Sequence, residues 1–139
     1  MKKISVLIVM LMTSIANMLA QQQAVISFEK VTHDFGTFNE SDGPVKCTFT
    51  FTNTGDAPLL IHQAMSSCGC TVPAYTKTPI MPGEKGEIKV TYNGRGKFPG
   101  HFKKTVTLHT NSATELVRLY IEGNMISDKQ QKEEPTEKE

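Results

Sequence analysis

From Pro44 to Asn53 the chain alternates apolar and polar side chains: Val45, Cys47, Phe49 and Phe51 against Lys46, Thr48, Thr50 and Thr52. Successive side chains of an extended strand point to opposite faces, so the first set shares one face and the second set the other. A helix would scatter the same residues around its axis, and the segment is therefore a half-buried strand. The pattern returns in GEIKVTYN, with Ile88, Val90 and Tyr92 inward, and in HFKKTVTLHT, with Phe102, Val106 and Leu108 inward. Lys104 interrupts that last series, which places its end of the strand near an edge or rim. In ELVRLYIEG, Val117, Leu119 and Ile121 face inward against Leu116, Arg118, Tyr120 and Glu122. Further strands are expected in AVISFE near the start, in a short piece around residues 31–38, and in APLLIHQAM at residues 57–65.

Between these segments lie Asn53-Thr54-Gly55-Asp56, Met81-Pro82-Gly83-Glu84, Asn93-Gly94, Phe98-Pro99-Gly100 and Thr110-Asn111-Ser112. Each supplies a residue suited to positive φ or to a preset bend. No long stretch carries a helical period. About seven short strands with turns at this spacing predict an all-β, immunoglobulin-like sandwich of two antiparallel sheets. The antibody subtype is excluded, because there is no tryptophan and no cysteine on the strand ending at Thr110 to pair with Cys47. Phenylalanines fill the centre instead.

The flanks read differently. Met1, Lys2 and Lys3 precede an apolar run from Val6 to Met12 and a softer stretch to Ala20, the order of a cleaved secretory signal peptide. Ser5, Thr13, Ser14 and Asn17 interrupt it, whereas a membrane span needs about 20 continuous apolar residues. Cleavage after Ala16 or Ala20 leaves a mature chain starting near Gln21, in a secreted or periplasmic compartment. From Ser127 onward there is no apolar residue, so residues 127–139 read as a disordered charged tail. The expected organisation is a signal peptide over residues 1–20, one sandwich domain over 21–126, and the tail. The 15 basic and 14 acidic residues nearly balance, and losing Lys2 and Lys3 tips the chain to one net negative charge. Such a surface gives no electrostatic reason to bind nucleic acid.

Taken in order, Asp34-Phe35-Gly36, Phe51-x-Asn53-Thr54-Gly55, Cys68-Gly69-Cys70-Thr71, Pro79-Ile80-x-Pro82-Gly83-Glu84, the Gly100-His101-Phe102-Lys103-Lys104 strand and Ile121-Glu122-Gly123 resemble a bacterial family of secreted domains of unknown function. That family is similar to the immunoglobulin-like group containing the major sperm protein, abnormal-spindle and hydin type modules. The resemblance runs from Phe28 to Asn124. It implies an immunoglobulin-like fold and carries almost no activity.

Two of the three cysteines stand one glycine apart. In an extended segment residues i and i+2 face the same side with α carbons about 6.6 Å apart, at the upper end of disulfide geometry. Gly69 can take angles closed to other residues and bring the sulfurs together. Cys68 and Cys70 are thus a disulfide candidate, and strained disulfides are the more easily reduced. As thiolates they are candidate ligands for a soft ion such as Cu(I); zinc would want four ligands. His62 and Met65, with Met81, are weaker candidates by proximity in sequence alone. His101 and His109 lie about 26 Å apart along one strand and cannot share a metal. Cys47 alternates in register with the inward residues and is expected to be a buried, unpaired thiol, the rival being a bond from Cys47 to Cys68 or Cys70.

Other motifs carry no chemistry. Asp34-Phe35-Gly36 lacks every other part of a kinase, and Gly36 serves as a bend. Asn39-Glu40-Ser41 fits a glycosylation sequon at a chance level. Glu84 and Glu87 flank a structural turn, and Arg95, Lys97, Lys103 and Lys104 form a basic patch of the kind that protects a strand edge. With no serine elbow, histidine pair or phosphate loop, the chain is expected to be no enzyme and to hold no cofactor. The leading expectation is an exported module that contacts another envelope or extracellular protein; the alternative is a Cys68/Cys70 site that binds Cu(I) or exchanges disulfides.

Overall fold

The structure is a computed structural model and describes residues 22–127; the proposed signal peptide and the charged tail after Ser127 lie outside them. Eight strands are formed: β1 Ile26–Phe28, β2 Thr32–Asn39, β3 Val45–Asn53, β4 Ile61–Ser66, β5 Thr71–Tyr75, β6 Lys85–Tyr92, β7 Gly100–Thr110 and β8 Leu116–Ile126. A 3-10 turn, Glu40–Asp42, follows β2. The strands build two four-stranded sheets with orders β1-β3-β6-β5 and β2-β8-β7-β4. The expected sandwich is therefore present, with one strand more than expected.

Alternation fixes which faces meet. Cys47, Phe49 and Phe51 of β3 and Ile88, Val90 and Tyr92 of β6 are buried, and they face Val106, Leu108, Leu119 and Ile121 from the other sheet. Phenylalanines and tyrosine close one end: Tyr92 stacks on Phe102 with centroids 4.0 Å apart, and Phe38 meets both rings edge-on at 6.4 and 5.9 Å. The register Cys47↔Val90, Phe49↔Ile88 and Phe51↔Gly86 puts a glycine opposite the fully buried Phe51 ring. A Cβ at Gly86 would overlap the Phe51 ring, so the backbone must stay bare there.

Three features depart from the sequence expectation or go beyond it. First, β2 pairs with β8 in parallel, so the second sheet is mixed. The chain enters the second sheet at its outer edge and returns beside that strand only at its end. Gly36, at φ 66°, produces the register shift between Asp34 and Thr37 within this pair. Second, residues 71–75 form a strand. Pro73 argues against a central strand, but β5 is an edge, where a missing N–H costs no ladder bond. Third, β3 and β4 lie in different sheets, so the turn between them crosses the sandwich rather than closing a hairpin.

That crossing is held by Asn53, which is fully buried. Its side-chain oxygen accepts from the N–H groups of Val25 (3.3 Å) and Gly55 (3.0 Å), and its amide donates to the carbonyls of Ala57 (2.8 Å) and Ile80 (2.9 Å). All four amide hydrogen-bonding positions are used, which is what makes a buried amide tolerable. A two-way bridge between Leu59 and Ile80 lies beside it.

Candidate functional site

Edge strand β4 of one sheet passes to edge strand β5 of the other through residues 67–70. Ser66 Oγ donates to the Cys68 carbonyl (2.7 Å), and the Thr71 N–H donates to the same oxygen (3.2 Å). The Asn93 N–H donates to the Cys70 carbonyl (2.8 Å), fastening the turn to the end of β6. These bonds fold the segment so that the α carbons of Cys68 and Cys70 are 5.3 Å apart with their sulfurs at bonding reach. The distance is shorter than a straight strand provides, because the residues sit in a turn.

Gly69 does not play the part expected of it. Its φ is not among the positive glycine angles of the chain, and a Cβ there would meet nothing within 4 Å. The glycine leaves the outer side of the turn uncovered. Cys68 is half-buried, while Cys70 is only 9% exposed. Beneath both lies Thr71, 2% exposed, whose hydroxyl is 3.6 Å from Cys68 Sγ and 3.9 Å from Cys70 Sγ. Among the described residues, the two sulfurs are the only hydrogen-bonding partners of that hydroxyl. Thr71 is a site residue that sequence reasoning passed over, although it directly follows Cys70.

The weaker ligand candidates lie elsewhere. His62 is four residues up β4 from Ser66, about 13 Å along the strand. It lines a shallow depression with Gln63, His109 and Glu115, and its carbonyl accepts from Tyr75 Oη (3.2 Å). Met65 is exposed on β4 in register with Thr107, and Met81 belongs to the turn capped by Glu84 Oε2 beyond the other end of β5. Among the described residues no three His, Cys, Asp or Glu side chains are placed to hold a metal ion. Cys47 is unpaired and buried, and burial pushes its thiol up to about 11.

A second feature lies beside the turn. β4 ends at Ser66, opposite Val106, and Ser67 continues the ladder by one step: its N–H donates to the Thr105 carbonyl (2.9 Å) and its Oγ accepts from the Thr105 N–H (3.1 Å). By the alternation of an antiparallel ladder, His101 and Lys103 likewise turn their backbone groups away from β8. Among the described residues, nothing in the sheet covers them past the end of β4. Lys104 therefore does sit at an edge, but a local one, on a strand whose other half is interior. Lys103 pairs with Glu122 (3.1 Å) and lies over the Tyr120 ring. No helix among the described residues is long and apolar enough to cross a membrane.

Two sheets of four strands, one antiparallel and one mixed, define an immunoglobulin-like sandwich. The chain belongs to the family described as protein of unknown function (DUF1573), whose profile matches residues 26–125. No curated protein matches the sequence. Among solved structures it is similar to a protein of unknown function from Porphyromonas gingivalis W83, at 18% identity and a TM-score of 0.63. That match covers 76% of this chain and 48% of the other, so the chain spans about half the length of that protein. It is similar also to the ASH/PapD-like domain 7 of human CEP192 (9% identity, TM-score 0.60, covering 77% and 89%). A third is the CupB2 chaperone of Pseudomonas aeruginosa (14% identity, TM-score 0.52, covering 71% and 55%). At these identities the likeness is one of fold.

Proposed function

We propose that the protein is an exported, non-enzymatic module that binds another cell-envelope or extracellular protein by adding a strand of the partner to its own sheet. The observation that carries this reading is the uncovered stretch of β7 beyond Ser67, where His101 and Lys103 offer two N–H donors and two carbonyl acceptors in a row. An extended partner segment can satisfy all four, and its alternate side chains would then read the flanking surface. The leader supports export, and the near-neutral surface disfavours nucleic acid as the partner.

The test is a proline at the open edge. Lys103→Pro removes a donor that faces away from β8 while leaving the β7–β8 bonds made by Phe102 and Lys104. Crosslinking in intact cells should give a discrete adduct with the unchanged protein and none with the folded proline variant. A Lys103→Ala control should retain it. Equal crosslinking by all three would remove this reading.

A further inference from the structure

We infer that Cys68 and Cys70 form a thiol–disulfide exchange site in which Cys68 is the sulfur attacked and the Thr71 hydroxyl stabilises the sulfur that leaves. The inference does not depend on the edge-binding reading. It rests on an asymmetry of access and on one buried hydroxyl.

Access comes first. Cys68 is half-buried and Cys70 is 9% exposed, and Gly69 puts no side chain over the turn between them. An incoming thiolate therefore reaches Cys68 Sγ rather than Cys70 Sγ. The carbonyls of both cysteines are tied by backbone donors, to Thr71 and Asn93, so the turn keeps its shape when the bond opens.

The hydroxyl supplies the bias. A buried hydroxyl normally has an oxygen or nitrogen partner, but among the described residues the Thr71 hydroxyl has the two sulfurs alone, at 3.6 and 3.9 Å. Bonded or protonated sulfur is a weak acceptor. A thiolate is an ionised acceptor and takes a much stronger, charge-assisted bond. Thr71 is thus poorly satisfied while the ring is closed and well satisfied once a thiolate appears at either position. One hydroxyl serves both directions: it holds Cys70 as the leaving thiolate when the ring opens and Cys68 as the attacking thiolate when the dithiol reacts.

The balanced steps follow. A thiolate of a dithiol substrate attacks Cys68 Sγ; the Cys68–Cys70 bond breaks, a mixed disulfide forms at Cys68, and Cys70 departs as thiolate. The second thiolate of the substrate then attacks its own sulfur in the mixed disulfide, releasing Cys68. The substrate leaves as a disulfide, and its two electrons remain on Cys68 and Cys70 as a dithiol. The reverse sequence, starting from Cys68 thiolate and a substrate disulfide, reduces the substrate. The substrate class is an accessible dithiol or disulfide, on a protein or a small molecule.

The experiment uses the mature protein with dithiothreitol and glutathione as probes. Reduced Cys70→Ala incubated with oxidised glutathione should accumulate a glutathione adduct on Cys68, seen by intact mass, and Cys68→Ala should form its adduct at least about tenfold more slowly because Cys70 is shielded. Ring opening by dithiothreitol, followed by alkylation and mass, should slow about tenfold in Thr71→Val and stay within about twofold in Thr71→Ser, which keeps the hydroxyl. Thiolate absorbance on pH titration of the reduced protein should move upward in Thr71→Val and not in Thr71→Ser. Three results would overturn the inference: a ring that stays closed in the folded protein under excess dithiothreitol, equal adduct formation at the two cysteines, or identical behaviour of the valine and serine variants.

Discussion

Cys47 and Asn53 sit on the same strand, and each shows what an interior position asks of a polar or ionisable group. Cys47 is simply kept neutral: with burial raising its thiol to about 11 against an ordinary value of 9.0, the folded state holds a proton that the unfolded chain gives up earlier. The stability from this group is complete below pH 9 and is lost as pH rises from 9 towards 11. Thermal melts across that window should show a decline that is shallower in Cys47→Ala, in which burial of Tyr92, also raised from its ordinary value, still contributes. Alkylation of the native protein at neutral pH should leave Cys47 unmodified, and modification should appear with unfolding. Asn53 instead must be fully paired. Asn53→Ala would strip partners from Val25, Gly55, Ala57 and Ile80 at once, and should cost about 3 kcal/mol or more in a denaturant titration. Gly86→Ala tests the opposite limit, overpacking against Phe51, and should cost about 1–3 kcal/mol.

Among the elements, what was legible in the sequence was whatever alternation alone decides. β3, β6, β7 and β8 each have one face in the core and one in water, so the period-two pattern names both their existence and their buried residues. β5 escaped because its five residues include Pro73 and because an edge strand is under less demand to alternate. The parallel partnership of β2 escaped for a different reason: pairing direction is a property of two distant segments, and nothing in residues 32–39 encodes where residues 116–126 will lie. The turn at Cys68 was legible as a pair of sulfurs but not as a site, because the exposure of each cysteine and the isolation of the Thr71 hydroxyl arise only when β4 and β5 are brought to the same corner. The size of the loop bears on its role. Closing a ring of three residues removes little chain entropy, about 1–2 kcal/mol on the loop-closure estimate, so reduction should lower the melting temperature by only several degrees. A loss of tens of degrees would mark the bond as architecture.

For the whole molecule, the ladder is predominantly non-local. β2 depends on β8, β3 on β6, and the Asn53 turn on Ile80. A chain truncated after residue 115, lacking β8, should therefore be unfolded as a whole rather than missing one strand, with hydrogen exchange unprotected even in β3 and β6. Folding of the full domain should be slow, on the millisecond-to-second scale of sandwiches with similarly distant contacts. The parallel β2–β8 pair gives that slowness a direction. Because β2 has no neighbour in its sheet except β8, a polypeptide emerging from its N-terminus leaves that strand unpaired until residues 116–126 have followed it, and the seam between early and late segments is the last to be sewn.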